Sequence, residues 1–279
     1  MRSIFFQDIP VPPTMLKYVA SIRIATCNET DHNLEIKVSP GGFSGLVWGA
    51  SEDGKAAIES ISVLGYLTKD IPVLFVHGLV TEPSVMKFRH GKFRTVQFLF
   101  NSNTLRLMGI DPRLGNFGFS TELDKITPDI ERLYIEDIGK EILVESLCTA
   151  ILKSILARQL RLDETIAEAV TEIRLHPSEF SAEGFCQRYC ISGRTLERRF
   201  RANLGISPKL FMRITRAKAA IDLIKTGRYE RLTDVAYALN YYDQSHFIRD
   251  LKHFTFLSPK GIGDLTLDFH KDLNGLAYI

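Results

Sequence analysis

Two stretches of the sequence, SGRTLERRFRANLGISP at residues 192–208 and DQSHFIRDLKHFTFLSP at residues 243–259, repeat one pattern at an offset of 51 residues. Each stretch begins with a side chain that commonly caps a helix, Ser192 or Asp243, and each ends at Ser-Pro. The equivalent pairs between these ends are Leu196 and Phe247, Arg198 and Arg249, and Phe200 and Leu251. This internal repeat predicts two copies of one helical unit.

The repeat extends into the helix that precedes each stretch. The equivalent residues there are Phe185 and Val235, Cys186 and Ala236, and Tyr189 and Leu239, at an offset of 50, so the second turn is one residue longer. Each unit is therefore a helix, a tight turn and a second helix, which is the helix-turn-helix plan. In that plan the second helix enters the major groove of DNA. A further helix over residues 208–226 joins the two units.

Each second helix has one apolar face and one basic face. At about 100° per residue, Arg194, Arg198 and Arg201 lie within about 60° of one another, opposite the apolar side chains. One such helix would be interpreted as a solvated surface helix, but two copies in one register favour DNA binding. The candidates for contacts with base edges are Arg194, Thr195, Arg198, Gln244, Ser245 and Arg249. The candidates for phosphate contacts are Arg201, Lys209, Arg213 and Lys252.

The charge distribution agrees with a nucleic-acid partner. The whole chain of 279 residues has a formal net charge of only +2. Residues 181–262, however, contain 15 basic and 7 acidic side chains, whereas the rest contains 20 basic and 26 acidic ones. One basic end on an acidic protein is typical of nucleic-acid binding, although a solvated basic surface gives the same imbalance.

The first part of the chain has a different pattern. Short apolar and β-branched stretches alternate with Gly, Pro and Asp turns up to about residue 100, which predicts an antiparallel sandwich or small barrel. Short helices are expected after Asn101 and after Pro128. The predicted fold class is α+β, with a β-rich, cupin-like domain at residues 1–160 and an all-α double helix-turn-helix domain at residues 161–279.

A connector helix is predicted at residues 136–160, because apolar residues recur there at helical spacing. The two apolar rows are Leu143, Leu147, Ile151 and Ile155, and Leu152, Leu156 and Leu160. Together the two rows cover a wider part of the helix surface than a single buried face usually does. Two interpretations stay open: deep burial between the domains, or one row that faces a second copy across a two-fold axis.

Other classes of function find little support in the sequence. Cys186 and Cys190 share a helix face without a His or acid at metal-ligand spacing, so we expect packing rather than metal binding. His77 is expected to be a histidine at a strand end. Nucleotide-binding glycine motifs and the GxSxG motif of hydrolases are absent, so no enzymatic activity, cofactor or metal is expected. Asp8 and Pro10 interrupt the N-terminal apolar run too early for the apolar region of a secretory signal peptide. We therefore expect a cytoplasmic protein.

The residues from about 182 to 262 resemble the double helix-turn-helix domain of the AraC/XylS family of bacterial transcription regulators. The matching residues are Ile191, Ser192, Leu196, Arg198, Phe200, Gly205, Ser207, Pro208, Arg216, Ala220, Leu223, Ile224, Val235, Ala236, residues 243–247, Arg249, Ser258 and Pro259. The sequence departs from the family at Asn240-Tyr241, Phe256 and Ile262. Pro12-Pro13 and residues 39–42 resemble the sensor domains of some members more weakly.

The resemblance implies a sequence-specific DNA-binding regulator. It also implies a small effector or dimerisation through the β-rich domain, and RNA polymerase as a partner. An architectural DNA-binding protein without an effector is the alternative.

Overall fold

The N-terminal part of the computed structural model consists of short antiparallel strands. The structure describes residues 4–28, 34–114, 139–227, 229–264, 270–272 and 275–278. The N-terminal strands are β1 (Ile4–Ile9), β2 (Val19–Cys27), β3 (Leu34–Val38), β4 (Ser44–Ser51), β5 (Ile58–Val63), β6 (Tyr66–Lys69), β7 (Leu74–His77), β8 (Ser84–Phe88) and β9 (Phe93–Phe100). The predicted strand stretches, residues 18–25, 34–38, 44–48, 58–64, 73–76, 85–88 and 96–100, all overlap these strands, whereas β1 and β6 were not predicted.

The strands form two packed sheets, and helices on the outer face of the first sheet add a third layer. One sheet has the order β1-β2-β9-β4-β7, and the other contains β3-β8-β5-β6. Alternate residues of β4 face opposite sides: Val47 packs between the two sheets, whereas Leu46 and Trp48 pack on the outer face of the first sheet. That outer face is covered by helices α1 (Thr104–Leu107) and α2 (Lys140–Arg158). The predicted sandwich is thus confirmed, with a helical layer added to it.

Helix α2 places the two predicted apolar rows in different environments. The row that begins at Leu143 is buried on the first sheet. In the other row Leu152 is partly buried, but Leu156 is 72% exposed and Leu160 is 42% exposed. Deep burial of both rows between the domains is therefore wrong. The predicted helix after Pro128 lies outside the described residues, while α1 follows Asn101 as expected.

The described residues of the C-terminal part form seven helices up to residue 263. They are α3 (Glu164–Leu175), α4 (Ala182–Arg188), α5 (Gly193–Leu204), α6 (Pro208–Thr226), α7 (Leu232–Ala238), α8 (Gln244–Thr255) and α9 (Pro259–Gly263). Helices α4 and α5 form the first helix-turn-helix unit, α7 and α8 form the second, and α6 joins them. After α9 the chain returns to the β-rich part, where β11 (Gly275–Tyr278) pairs with β3 and β10 (His270–Asp272) pairs with β11, so both strands extend the second sheet.

The internal repeat is also visible in the backbone. The turn after α4 contains Cys190 at φ 50°, and the turn after α7 contains Asn240 at φ 54°. Helices α5 and α8, the second or recognition helices of the two units, end in the same left-handed conformation, at Gly205 (φ 81°) and at Phe256 (φ 60°). Phe256 therefore occupies the position that glycine occupies in the first unit, at the steric cost that a side chain has there.

The recognition helices begin at the predicted caps. The Ser192 hydroxyl accepts a hydrogen bond from the Thr195 amide at 3.1 Å, and an Asp243 carboxylate oxygen accepts one from the His246 amide at 2.6 Å. Each cap satisfies an amide that has no partner within the helix.

We predict that Ser192→Ala and Asp243→Ala each lower the free energy of unfolding by about 1 kcal/mol, because each leaves such an amide without its acceptor. Denaturant unfolding of the full-length chain measures this. Ser245→Ala, in the first turn of α8 but not a cap, serves as the control. Wild-type stability in both cap variants would contradict the assigned helix starts.

We also predict that Phe256→Gly raises the free energy of unfolding by about 0.5–1 kcal/mol, because glycine adopts the left-handed conformation without strain. The ring is 50% exposed, so its removal forfeits little burial. The matched variant Gly205→Ala should be destabilising. A lower stability of Phe256→Gly in the same unfolding experiment would show that contacts of the ring outweigh the strain.

Candidate nucleic-acid interface

Helix α5 buries one face and exposes the other. Leu196, Phe200 and Leu204 are buried in the core of the first unit. On the opposite side, Arg194 and Arg198 are exposed. Arg201 is also exposed, and Thr195 is half-buried with its hydroxyl 2.9 Å from that of Ser192. The first recognition helix therefore presents three arginines on one side.

Helix α8 repeats this arrangement in the second unit. Phe247 and Leu251 are buried in its core. The predicted base-edge candidates Gln244, Ser245 and Arg249 are all exposed, as is Lys252 one turn further along. The two helices thus expose their basic faces as the repeat predicted.

The arginines of the domain divide into those paired with acids and those that are not. Among the described residues, Arg194, Arg198 and Arg249 have no acidic side chain within ion-pair distance. Arg201 pairs with Glu197 at 2.8 Å, but both side chains are about half exposed, so the pair contributes little and can exchange for a phosphate. Unpaired exposed guanidinium groups are available for an external anion.

Arg213 was predicted to contact phosphate, and the structure shows it partly exposed and in an ion pair within the domain. Its Nη2 donates to a carboxylate oxygen of Asp250 at 2.7 Å, and the guanidinium lies 5.3 Å from the centre of the Phe254 ring. The Asp250 side chain is only 6% exposed. The hydrogen bond to Asp250 raises the pKa of Arg213. The ion pair joins α6 to α8, so Arg213 has a structural role, and its predicted phosphate contact stays a prediction.

A second internal ion pair lies at the start of the helical domain. The Asp163 carboxylate caps α3 by accepting from the Ile166 amide, and it also accepts from the side chains of Arg199 and Asn203 on α5. Burial opposes ionisation of Asp163, but the hydrogen bonds from Arg199, Ile166 and Asn203 outweigh it and lower the pKa. Arg199 is thereby turned away from the exposed face of α5.

Sequence analysis overlooked one exposed side chain at this surface. Tyr242 is 90% exposed and immediately precedes the cap of α8. Its position in the turn before a predicted recognition helix was the signal that could have identified it. An aromatic side chain there can pack on a sugar or a base edge.

The other sequence candidates lie away from this surface or inside the protein. Cys186 is buried in the core of the first unit, whereas Cys190 is exposed in the turn. His77 is buried at the end of β7. Within the described ranges no three metal-binding side chains cluster, and no helix there is long and apolar enough to span a membrane.

Comparison with known proteins identifies a domain in the part of the chain that contains the repeat. Residues 185–262 match a family model described as a helix-turn-helix domain, a range that begins within α4 and continues through α5, α6, α7 and α8. No curated protein sequence matches the chain.

Several solved structures are similar to the chain, among them the following three. ToxT from Vibrio cholerae is 10% identical, with a TM-score of 0.45 over 92% of this chain and 97% of that one. The C-terminal domain of AraT, a response regulator from Geobacillus stearothermophilus, is 22% identical, with a TM-score of 0.34 over 40% of this chain and 97% of that one. The xylose-binding transcription activator XylR is 18% identical, with a TM-score of 0.34 over 39% and 29%.

Proposed function

We propose that the protein is a sequence-specific transcription regulator of the AraC type, because residues 185–262 match a helix-turn-helix domain and the chain resembles that family there. The observation that carries this proposal is the pair of exposed, basic recognition helices in one register. The protein acts by binding DNA rather than by catalysing a reaction.

The spacing of the two units suits one face of a DNA duplex. Helix α6 has 19 residues, which at about 1.5 Å per residue corresponds to about 28 Å. Successive major grooves on one face of the duplex are about 34 Å apart. Helices α5 and α8 would therefore enter neighbouring major grooves, each with its exposed basic face towards the bases.

The exposed side chains take different roles in this proposal. Arg198 and Arg249 stand at equivalent positions, and each guanidinium can donate two hydrogen bonds to a guanine edge. Side chains beside them complete the base contacts. Lys209 and Lys252 hold phosphates, which adds affinity but no sequence information. The side chains that complete the base contacts are Arg194, Thr195, Gln244 and Ser245. Arg201 is a further phosphate contact.

We predict that Arg198→Ala or Arg249→Ala weakens binding to the preferred site by about 1–3 kcal/mol and relaxes the base preference in one half of it. Lys209→Ala should weaken binding to all sequences alike. Titrations of the selected and of a random duplex at one salt concentration measure both effects. Equal losses on the two duplexes for Arg198→Ala would contradict base recognition. Equal wild-type affinity for the two would instead favour an architectural DNA-binding protein.

The remaining parts of the proposal concern partners and location. A regulator of this kind works in the cytoplasm, where it binds double-stranded DNA and contacts RNA polymerase. A small effector that binds the β-rich domain would control it. We also propose that the protein is a homodimer, and the exposed Leu156 on α2 and Leu160 just after its end support this, because they extend an apolar row beyond the sheet.

We predict that charged residues at Leu152 and Leu156 split this dimer and leave each protomer folded, because the row would face its twin across a two-fold axis. Sedimentation of the Leu152→Glu, Leu156→Glu double variant measures it, with far-ultraviolet circular dichroism as the check on folding. The exposed Leu175→Glu, on α3, serves as the control. A wild-type protein that is monomeric at micromolar concentration would rule this interface out.

A further inference from the structure

The turns of the two helix-turn-helix units differ by one residue. Between the left-handed residue and the helix cap, the first turn contains only Ile191, whereas the second contains Tyr241 and Tyr242. The Ile191 amide donates to the Cys186 carbonyl at 3.0 Å, and the Tyr241 amide donates to the equivalent Ala236 carbonyl at 2.9 Å. Tyr241 is therefore the counterpart of Ile191, and Tyr242 is the additional residue of the second unit.

The two tyrosines of the second turn have opposite environments. Tyr241 is 4% exposed and belongs to the core of the second unit, where the centre of its ring lies 5.4 Å from that of Phe247. Tyr242 is 90% exposed. Within the described ranges its side chain has neither a hydrogen-bond partner nor a ring contact. The ring of Tyr242 therefore contributes little to the stability of the fold.

The backbone on both sides of Tyr242 is held in place. Before it, the Asn240 side-chain amide donates to the Ser178 carbonyl at 3.3 Å, and the Asn240 carbonyl accepts from Arg216 on α6 at 3.3 Å. After it, Asp243 caps α8. A single exposed tyrosine has no functional meaning of its own. This one, however, stands on a turn tied to the rest of the helical domain, so its ring loses little conformational freedom on binding.

Tyr242 lies next to the base-contact candidates of α8. Gln244 follows it by two residues, and two residues span at most about 7 Å. That distance equals about two base pairs along a duplex. In a helix-turn-helix unit, the N-terminal residues of the recognition helix contact the base edges. A ring beside these residues therefore meets the major-groove edges within about two base pairs of their contacts.

The chemistry of the ring selects among the four bases. In the major groove adenine, guanine and cytosine present hydrogen-bond donors and acceptors, whereas thymine also presents a methyl group. The face of a tyrosine ring cannot replace the water that is bound to a donor or an acceptor. It can cover a methyl group, which gains free energy on leaving water. Thymine is therefore the base that an aromatic side chain at this position fits.

We propose that Tyr242 is a specificity-determining residue, and that its ring recognises the 5-methyl group of one thymine in the half of the site bound by α8. This rests on the proposed function and adds a base preference to it. The preference belongs to the second unit alone, because the first turn has no residue at this position. The two units thus read DNA differently, although their recognition helices are repeats. The contact needs the ring of Tyr242 and not its hydroxyl group.

Deoxyuridine, which lacks only the 5-methyl group of thymidine, tests this contact. In a duplex that the full-length protein selects from a random library, each thymine is replaced by uracil in turn. At one position this should weaken wild-type binding about 2- to 5-fold, which corresponds to one buried methyl group. Tyr242→Ala should bind the unmodified duplex more weakly and show no further loss at that position. Tyr242→Phe should keep the loss, because it keeps the ring.

Tyr66→Ala removes a ring on β6 that is 82% exposed, and it should behave as the wild type does. Wild-type binding that no single replacement weakens would overturn the proposal, as would a Tyr242→Ala variant that keeps every wild-type loss. Equal weakening of the selected and a random duplex by Tyr242→Ala would indicate a contact with the sugar-phosphate backbone and would also overturn it. A wild-type protein that prefers no duplex over random DNA would instead refute the proposed function, so the two failures are distinguishable.

Discussion

Helix α6 is the element on which the geometry of the DNA-binding part depends. Phe211, near its start, belongs to the core of the first helix-turn-helix unit, and Ile221 and Ile224, near its end, belong to the core of the second. A single rigid helix thus sets the separation of the recognition helices. The Arg213–Asp250 ion pair fixes the orientation of α8 against it, because a buried carboxylate that lost its partner would cost about 3–5 kcal/mol.

This internal pairing explains which basic side chains remain available for DNA. Arg199 and Arg213 are held by Asp163 and Asp250, so they contribute to the fold. Arg194 and Arg198 stand on the opposite face of α5, where no described acid neutralises them. The half-buried Arg199 and Arg213 are therefore paired internally, whereas the exposed Arg194 and Arg198 stay available for an external anion.

The sequence predicted the parts of the fold that depend on local patterns. Ser192 and Asp243 identified the helix starts because a cap bonds only to its own helix. The strands with dense β-branched residues were found, but β6, with its exposed Tyr66 and Leu67, lacked an alternating pattern. The Arg213–Asp250 pair and the return of β11 to β3 join residues far apart in the chain. Their pairing follows from packing, which no local pattern encodes.

The most direct test of this account is the site that the full-length protein selects from a random DNA library, mapped by hydroxyl-radical footprinting. If α6 sets two recognition helices in successive major grooves, the selected sequences contain two conserved blocks about 10–10.5 base pairs apart, protected on one face of the duplex. A single conserved block, or protection without any conserved sequence, would contradict it.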